Sequence, residues 1–369
     1  MPQSFDNLQI DGQNRTVWTC FILAWDFSLM RNFLIAVAFL MGLIFIFSNV
    51  AELEPVLATL QRGDWRFLAL AVLVQVIWTI NIAASYRMIY RSLDLAVPIW
   101  PLWLAAVAAN FVNVVTPSGG VGGLAVLVDY SKKLGVSSGK AAVASMLHLL
   151  FEYASLICAI AFGLIVLIRR DTLNFPEIAA TSVLVVVTAV IGFVLVLGMK
   201  SEQAMGDALV KLAQLANRIL RPVLRRQVLD PQHGRDFAHE ASHALIGLRK
   251  RPREMLWIFG LSLSNKALML MIFFLMFVSF KVPFSTGTLV GGFSIAYLFT
   301  IVSPTPGGIG LVESLLTVTL RALNVNLGSA AVLTLAYRTI TFWLPMLLGL
   351  ISMRWIAAAV NRQDPAPAD

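Results

Sequence analysis

The stretch IVSPTPGGIGLVES, residues 301–314, interrupts one of the most apolar parts of the chain with two prolines and three glycines, then places Glu313 in the next apolar run. Proline removes a backbone donor and glycine admits unusual dihedrals, so a helix must stop and restart here. Irregular backbone at membrane depth persists only when it is buried in protein or faces a water-filled cavity. The restarting helix would present free N–H groups and a positive dipole end, suited to a phosphate or carboxylate.

The same break occurs earlier. TPSGGVGG begins at Thr116, and the chain matches itself without a gap at an offset of 189 residues. Thr116, Pro117, Gly119, Leu127, Leu134, Val136, Gly139, Ala141, Ala142 and Val143 recur as Thr305, Pro306, Gly308, Leu316, Leu323, Val325, Gly328, Ala330, Ala331 and Val332, ten identities in 28 positions. The repeat unit extends backwards, because the apolar run starting near 66 corresponds to the one starting near 255. Inverted repeats with helices broken by Gly and Pro at corresponding positions are the sequence signature of secondary transporters.

Composition fixes the class. Of 369 residues, 58% are hydrophobic and 13% charged, and the mean hydropathy is +0.80, which predicts an all-α polytopic membrane protein. Cys20 and Cys158 lie far apart and support neither a disulfide framework nor a thiolate metal site. Runs long enough to cross the bilayer lie at about 32–50, 66–88, 98–115, 139–168, 177–198, 255–280, 286–303 and 328–357. Two shorter apolar segments, 119–133 and 307–323, either span or re-enter. If both segments re-enter, the repeats become parallel; if they cross, the repeats are inverted.

The expected organisation is a polar tail over 1–31, with Met30 an alternative start and no secretory signal. A first membrane half over 32–198 contains repeat 1 at about 66–168, and a basic linker over 199–254 follows. A second half over 255–357 forms repeat 2, before a disordered tail over 358–369. Eleven basic residues against five acids give the stretch 199–253 a net +6, which places it on the cytoplasmic side. Counting from there gives about ten crossings of the inner membrane, with both termini cytoplasmic. Met205, Leu209, Leu212, Ala216, Ile219 and Val223 share one face of 202–227, which reads as an amphipathic helix on an anionic leaflet or packed on the bundle. Basic charge of this kind needs no nucleic acid.

The polar residues within apolar runs are the candidate site. Ser145, His148, Glu152 and Ser155 form one stripe at helical spacing, matched in the second half by Thr334, Arg338 and Thr341. An ionisable group within a span normally faces the bundle interior and is paired. Glu152 and Glu313 would then balance Lys266 and Arg338 in one polar cavity shaped by Pro117, Gly119, Gly120, Pro306, Gly307, Gly308 and Gly310. Asn110 and Asn113 read as polar contacts between helices. HEASH, His239 to His243, fits the zinc-protease pattern but falls in the polar linker without a third ligand. No metal, cofactor or P-loop is expected.

TPSGGVGG, the LGVSSGKAAVA that follows it, PTPGGIGLVES with Glu313, and AYRTITFWLPMLLG with Arg338 together resemble the flippase-like transmembrane family named after lysylphosphatidylglycerol synthase, over about 32–357. The resemblance implies a membrane protein that moves a phospholipid or lipid-linked headgroup across the bilayer. In that family lysyl transfer belongs to a separate C-terminal soluble domain. The tail NRQDPAPAD therefore leads to the expectation that this chain is not an enzyme. Many relatives carry a charge shortly after the first break; here Leu124 stands at the position matching Glu313. The alternatives are a membrane-embedded lipid-modifying enzyme or metalloprotease, or a non-transporting scaffold. A homo-oligomer or a lipid-synthesising partner enzyme fits each reading.

Overall fold

The computed structural model describes residues 63–115, 122–133, 136, 138–169, 175–201, 203–208, 210–211, 214, 241–242, 245–247, 251–303, 305–349 and 351–352. The first break at Thr116–Val121, with Pro117, Gly119 and Gly120, lies outside them, as do His239, Glu240, His243 and most of 202–227. Among the described residues the secondary structure is helical. In chain order the helices are α1 (Trp65–Ser92), α2 (Ile99–Val115), α3 (Gly122–Lys133), α4 (Ser138–Arg169), α5 (Phe175–Lys200), α6 (Pro252–Ser279), α7 (Thr286–Val302), α8 (Leu311–Ala322) and α9 (Leu327–Arg338). A wide π turn over Thr339–Trp343 follows α9 and continues it to Gly349. Five of these helices are long and apolar enough to cross a membrane, and the chain is an all-α polytopic membrane protein.

The repeat is visible in the element bounds. Helices α2 and α7 are 187 residues apart at both ends, whereas α3 and α8 are 189 apart. The second break is therefore two residues longer. Helix ends repeat as well. In α1 the N–H of Leu95 reaches the carbonyl of Tyr90 (2.9 Å), and in α6 that of Val282 reaches Phe277 (3.0 Å). Each closure passes through a left-handed residue, Asp94 at φ +60° and Lys281 at φ +53°, the usual way to satisfy the last helical carbonyls. After the breaks, Val136 N–H to Ser131 O (3.0 Å) recurs as Val325 N–H to Leu320 O (2.9 Å).

The equivalent helices α1 and α6 run antiparallel. Asp64 N–H at the start of α1 donates to Ser279 O at the end of α6 (3.0 Å). At the other end, the Arg251 guanidinium before α6 donates to Arg91 O (3.2 Å) and to Asp94 Oδ1 (2.6 Å). Midway, the amide of Asn81 donates to Leu261 O, Ser264 Oγ and Asn265 Oδ1 at 2.7–3.0 Å. Two equivalent helices that pack antiparallel are related by a two-fold axis across them, so the repeats are inverted.

The short segments resolve as the return limbs of hairpins. Twelve residues of helix reach only about 18 Å, short of the roughly 30 Å hydrocarbon core. In the second repeat, Thr288 near the start of α7 bonds Leu323 O just past the end of α8 (3.4 Å). In the first, a Cβ on Gly123 would lie 2.5 Å from Ala109 O, so only glycine lets α3 fold back so closely on α2. Each helical pair enters and returns as a unit. That is why the repeats stay inverted, against the expectation that re-entry of the short segments makes them parallel: the first limb returns with the second and adds no net crossing.

The halves interlock. Helix α4 packs on α6 and α7, and the π turn after α9 packs on α1. Ser294 Oγ in α7 donates to Ala159 O in α4 (3.2 Å), and Ser352 Oγ donates to Leu104 O in α2 (2.7 Å) at the interface that the repeat relates to it. Such small-residue approaches and interhelical hydrogen bonds are what hold helices together in lipid, where the hydrophobic effect between them is absent. Met205, at the start of 202–227, is buried against Gly198 and Leu245. That residue belongs to the bundle and does not face an anionic leaflet.

Inversion makes a direct prediction about equivalent residues. In a background with Cys20 and Cys158 replaced by serine, Asp94→Cys and Lys281→Cys should react with a membrane-impermeant maleimide from opposite faces. Labelling of both from one face would refute the inverted arrangement.

Candidate functional site

A cavity of about 200 Å³ lies between the two repeats. Its wall comes in pairs that the repeat relates: Ile82 with Met269, Asn110 with Tyr297, Asn113 with Thr300, His148 with Tyr337, and Glu152 with Thr341. The site therefore sits on the pseudo-two-fold axis. Ser303, Thr305 and Gly307 bring the second break to the same wall.

The second break is held by an ion pair. Gly307, Gly308 and Gly310 all take positive φ, at +56°, +74° and +80°. A Cβ on Gly307 would lie 2.2 Å from the Phe342 ring. The Gly307 carbonyl accepts from Arg338 Nη2 (2.7 Å), and Arg338 Nε donates to Glu313 Oε1 (2.7 Å). The other Glu313 oxygen accepts from Gly310 N–H (2.7 Å), so the carboxylate caps α8 from its third position. The N–H of the N-cap residue is thus already taken. The sequence expectation of a free anion-binding helix end gives way here, because Glu313 occupies the place an external anion would fill. The Arg338 guanidinium also lies over the Phe342 ring, 4.4 Å from its centroid.

A second pair joins the repeats. Lys266 on α6 is 3% exposed and forms a salt bridge with Glu152 on α4. Its ammonium also donates to Tyr297 Oη (3.0 Å) and lies 4.3 Å from that ring's centroid. His148, one turn before Glu152, stacks on Tyr86 (4.1 Å between centroids) and shares a hydrogen bond with Ser85 through Nδ1 (3.3 Å). The expectation that four charges balance in one cavity resolves into two separate pairs. Glu152 and Arg338 line the cavity; Lys266 and Glu313 stand behind them. Pro306 and Gly308 shape the 3-10 turn Pro306–Gly308, and Gly310 is the N-cap of α8.

Sequence reasoning passed over Tyr297, Thr300, Ser303, Thr305, Trp78 and Tyr153, and it assigned Asn110 and Asn113 to interhelical contacts. All line the cavity. Asn113 Oδ1 does make such a contact, accepting from Gly123 N–H (2.5 Å). The signal for Tyr297 was the repeat itself, since it stands 187 residues after Asn110, an offset hidden by the two-residue lengthening of the break. Among the described residues, no three His, Cys, Asp or Glu side chains converge as a metal site.

Breaking a buried pair by removing one partner strands the other charge, typically at 3–5 kcal/mol. Lys266→Met should therefore lower the melting temperature in detergent markedly. Lys266→Met combined with Glu152→Gln should recover most of the loss, and strictly additive losses would show that the two side chains do not act as a pair.

The model of the family described as the lysylphosphatidylglycerol synthase TM region matches residues 33–349. The chain is also similar to the UPF0104 membrane protein of Pyrococcus horikoshii, with 23% identity over 310 residues that cover 81% of this chain and 90% of that protein. The match takes in both hairpins, the break at 303–310 and the helices that carry Glu152, Lys266, Glu313 and Arg338. This chain belongs to the lysylphosphatidylglycerol synthase TM region family.

Proposed function

We propose that the protein moves a lipid between leaflets, with the headgroup passing through the central cavity while the acyl chains stay in the bilayer. The observation that carries this reading is a polar cavity on the two-fold axis of an inverted repeat, walled by a carboxylate and a guanidinium inside an otherwise apolar bundle. Buried charge in a membrane is expensive and marks substrate or ion pathways. Broken helices at the interface of inverted repeats are where transporters hold their cargo.

On this reading no covalent bond is made or broken, and Glu152 and Arg338 bind rather than catalyse. His148, Ser145, Thr300, Ser303, Thr305 and Thr341 supply hydrogen bonds as the headgroup sheds water. The face that carries Arg91 and Arg251 is the cytoplasmic one, following the excess of basic residues in 199–253. The lipid is the partner; nucleic acid and cofactors have no part.

In vesicles reconstituted with purified protein, headgroup-labelled phospholipid in the inner leaflet should become accessible to a membrane-impermeant quencher. Glu152→Gln should slow that exchange by about tenfold or more, the worth of one hydrogen bond to a charged group. Exchange no faster than in protein-free vesicles, across anionic, zwitterionic and glycosylated lipids and with folded protein confirmed, would end this proposal.

A further inference from the structure

Two nitrogens of the cavity wall are open. Arg338 donates from Nε to Glu313 and from Nη2 to the Gly307 carbonyl, whereas Nη1 has no partner among the described residues and is not sealed from the cavity. His148 shares Nδ1 with Ser85 and stacks its ring on Tyr86, which leaves Nε2 in the same condition. The repeat relates His148 to Tyr337, the neighbour of Arg338, so the two side chains stand on opposite sides of the pseudo-two-fold axis. The hydroxyls of Ser145, Thr300, Thr305 and Thr341 donate to backbone carbonyls at 2.7–3.1 Å and have only lone pairs left. Of the donors that remain, Arg338 and His148 are the two that carry or can take positive charge.

Charge gives that histidine a task. Glu152 with Lys266 and Glu313 with Arg338 form two ion pairs whose formal charges sum to zero. An anionic headgroup that enters therefore adds one uncompensated charge to a region of low dielectric, which is costly. His148 cancels it by taking a proton, because the imidazolium donates from both nitrogens, Nδ1 to Ser85 and Nε2 to the headgroup. The other titratable groups around it leave that role to His148. On α4 itself stand Glu152, already paired, and Tyr153; of the helices packed on α4, α1 brings Tyr86, α6 brings Lys266 and α7 brings Tyr297. Helix α9 adds Tyr337 and Arg338 across the cavity, and among the described residues α3 and α5 bring no titratable side chain to it. The tyrosines stay neutral at physiological pH.

Resting on the transport reading above, we propose that the cavity takes up an anionic phospholipid headgroup together with one proton, which His148 holds, so that a proton gradient drives the lipid between leaflets. The phosphate accepts from Arg338 Nη1 and from the protonated His148 Nε2. No covalent bond in the lipid changes: the proton enters from the water at one face and is returned to the water at the other. By linkage, the anion binds most tightly where His148 is protonated, and its affinity falls as the pH rises, by at most about tenfold per unit for one proton.

The test uses water-soluble headgroups, so that binding is read without transport. Full-length protein in maltoside micelles is titrated calorimetrically with anionic glycerophosphoglycerol, zwitterionic glycerophosphocholine and inorganic sulfate, none of which titrates near neutral pH. Glycerophosphoglycerol should bind more tightly as the pH falls, and its heats in buffers of different ionisation enthalpy should show one proton taken up per headgroup. Glycerophosphocholine, whose charges cancel, should take up none. His148→Gln and His148→Phe should each remove the pH dependence and the proton uptake; the phenylalanine variant keeps the ring stack on Tyr86 and carries the test if the glutamine variant does not fold. Binding of glycerophosphoglycerol that ignores pH, proton uptake that survives both variants, or no saturable binding at all overturns the proposal. Proton-linked binding of sulfate but not of glycerophosphoglycerol would make the cavity a site for a free anion, and overturns it too. In reconstituted vesicles under an imposed pH gradient, labelled phosphatidylglycerol should accumulate in the leaflet that faces the more alkaline side. Leaflet exchange indifferent to the gradient would leave the transport reading standing and this one refuted. Proton-linked binding without exchange would leave the His148 site standing and end the transport reading.

Discussion

The hydrogen bonds between Arg338, Gly307 and Glu313 are the constraint on which the cavity depends. A helix broken at membrane depth leaves carbonyls and N–H groups that no water can satisfy. Here the guanidinium takes the carbonyl at the break, the carboxylate takes the N–H at the restart, and the two side chains neutralise each other. A neutral pair of hydrogen-bonding residues could bridge the same atoms, but it would not put a cation on the cavity wall. One network thus closes the break and charges the site.

The frame is symmetric and the charges are not. Lys266 corresponds to Thr79, whose hydroxyl accepts from Trp103 Nε1 (3.0 Å) and donates to Val76 O (2.7 Å). Glu152 corresponds to Thr341, Glu313 to Leu124 and Arg338 to Leu149. At one repeat interface α4 is tied to α6 by a buried ion pair; at the equivalent interface, the π turn after α9 meets α1 through uncharged residues. Separating the first contact strands two charges in lipid, while separating the second strands only hydroxyls. Energetically, therefore, the neutral interface is the cheaper of the two to separate.

Much of the fold was legible because membrane crossing leaves a coarse signal. The apolar runs at 66–88, 139–168 and 177–198 became α1, α4 and α5 within a few residues, and the repeated break located both hairpins. What the residues could not reveal was that α2 returns with α3 as one unit. That follows from the close approach at Gly123, a contact invisible in a linear pattern. The polar stripe at Ser145, His148 and Glu152 was readable because three polar residues at helical spacing stand out in an apolar helix, and all three line the cavity. Tyr297 was not, because an aromatic residue in an apolar helix looks like packing. Glu313 was misplaced for a different reason: the sequence shows a carboxylate beside the break, but only backbone geometry reveals that it folds back to cap its own helix.

On the proposed transport reading, the asymmetry also bears on how a headgroup leaves. A ligand that paired with both Glu152 and Arg338 as tightly as Lys266 and Glu313 do would be trapped. Each wall charge, however, is already partly neutralised by its protein partner, so the field a headgroup meets is that of two dipoles rather than two free ions. Fields of dipoles fall off faster with distance than those of charges. On the transport reading, such a wall orients a headgroup at close range without holding it at a distance: binding favourable enough to enter and weak enough to leave.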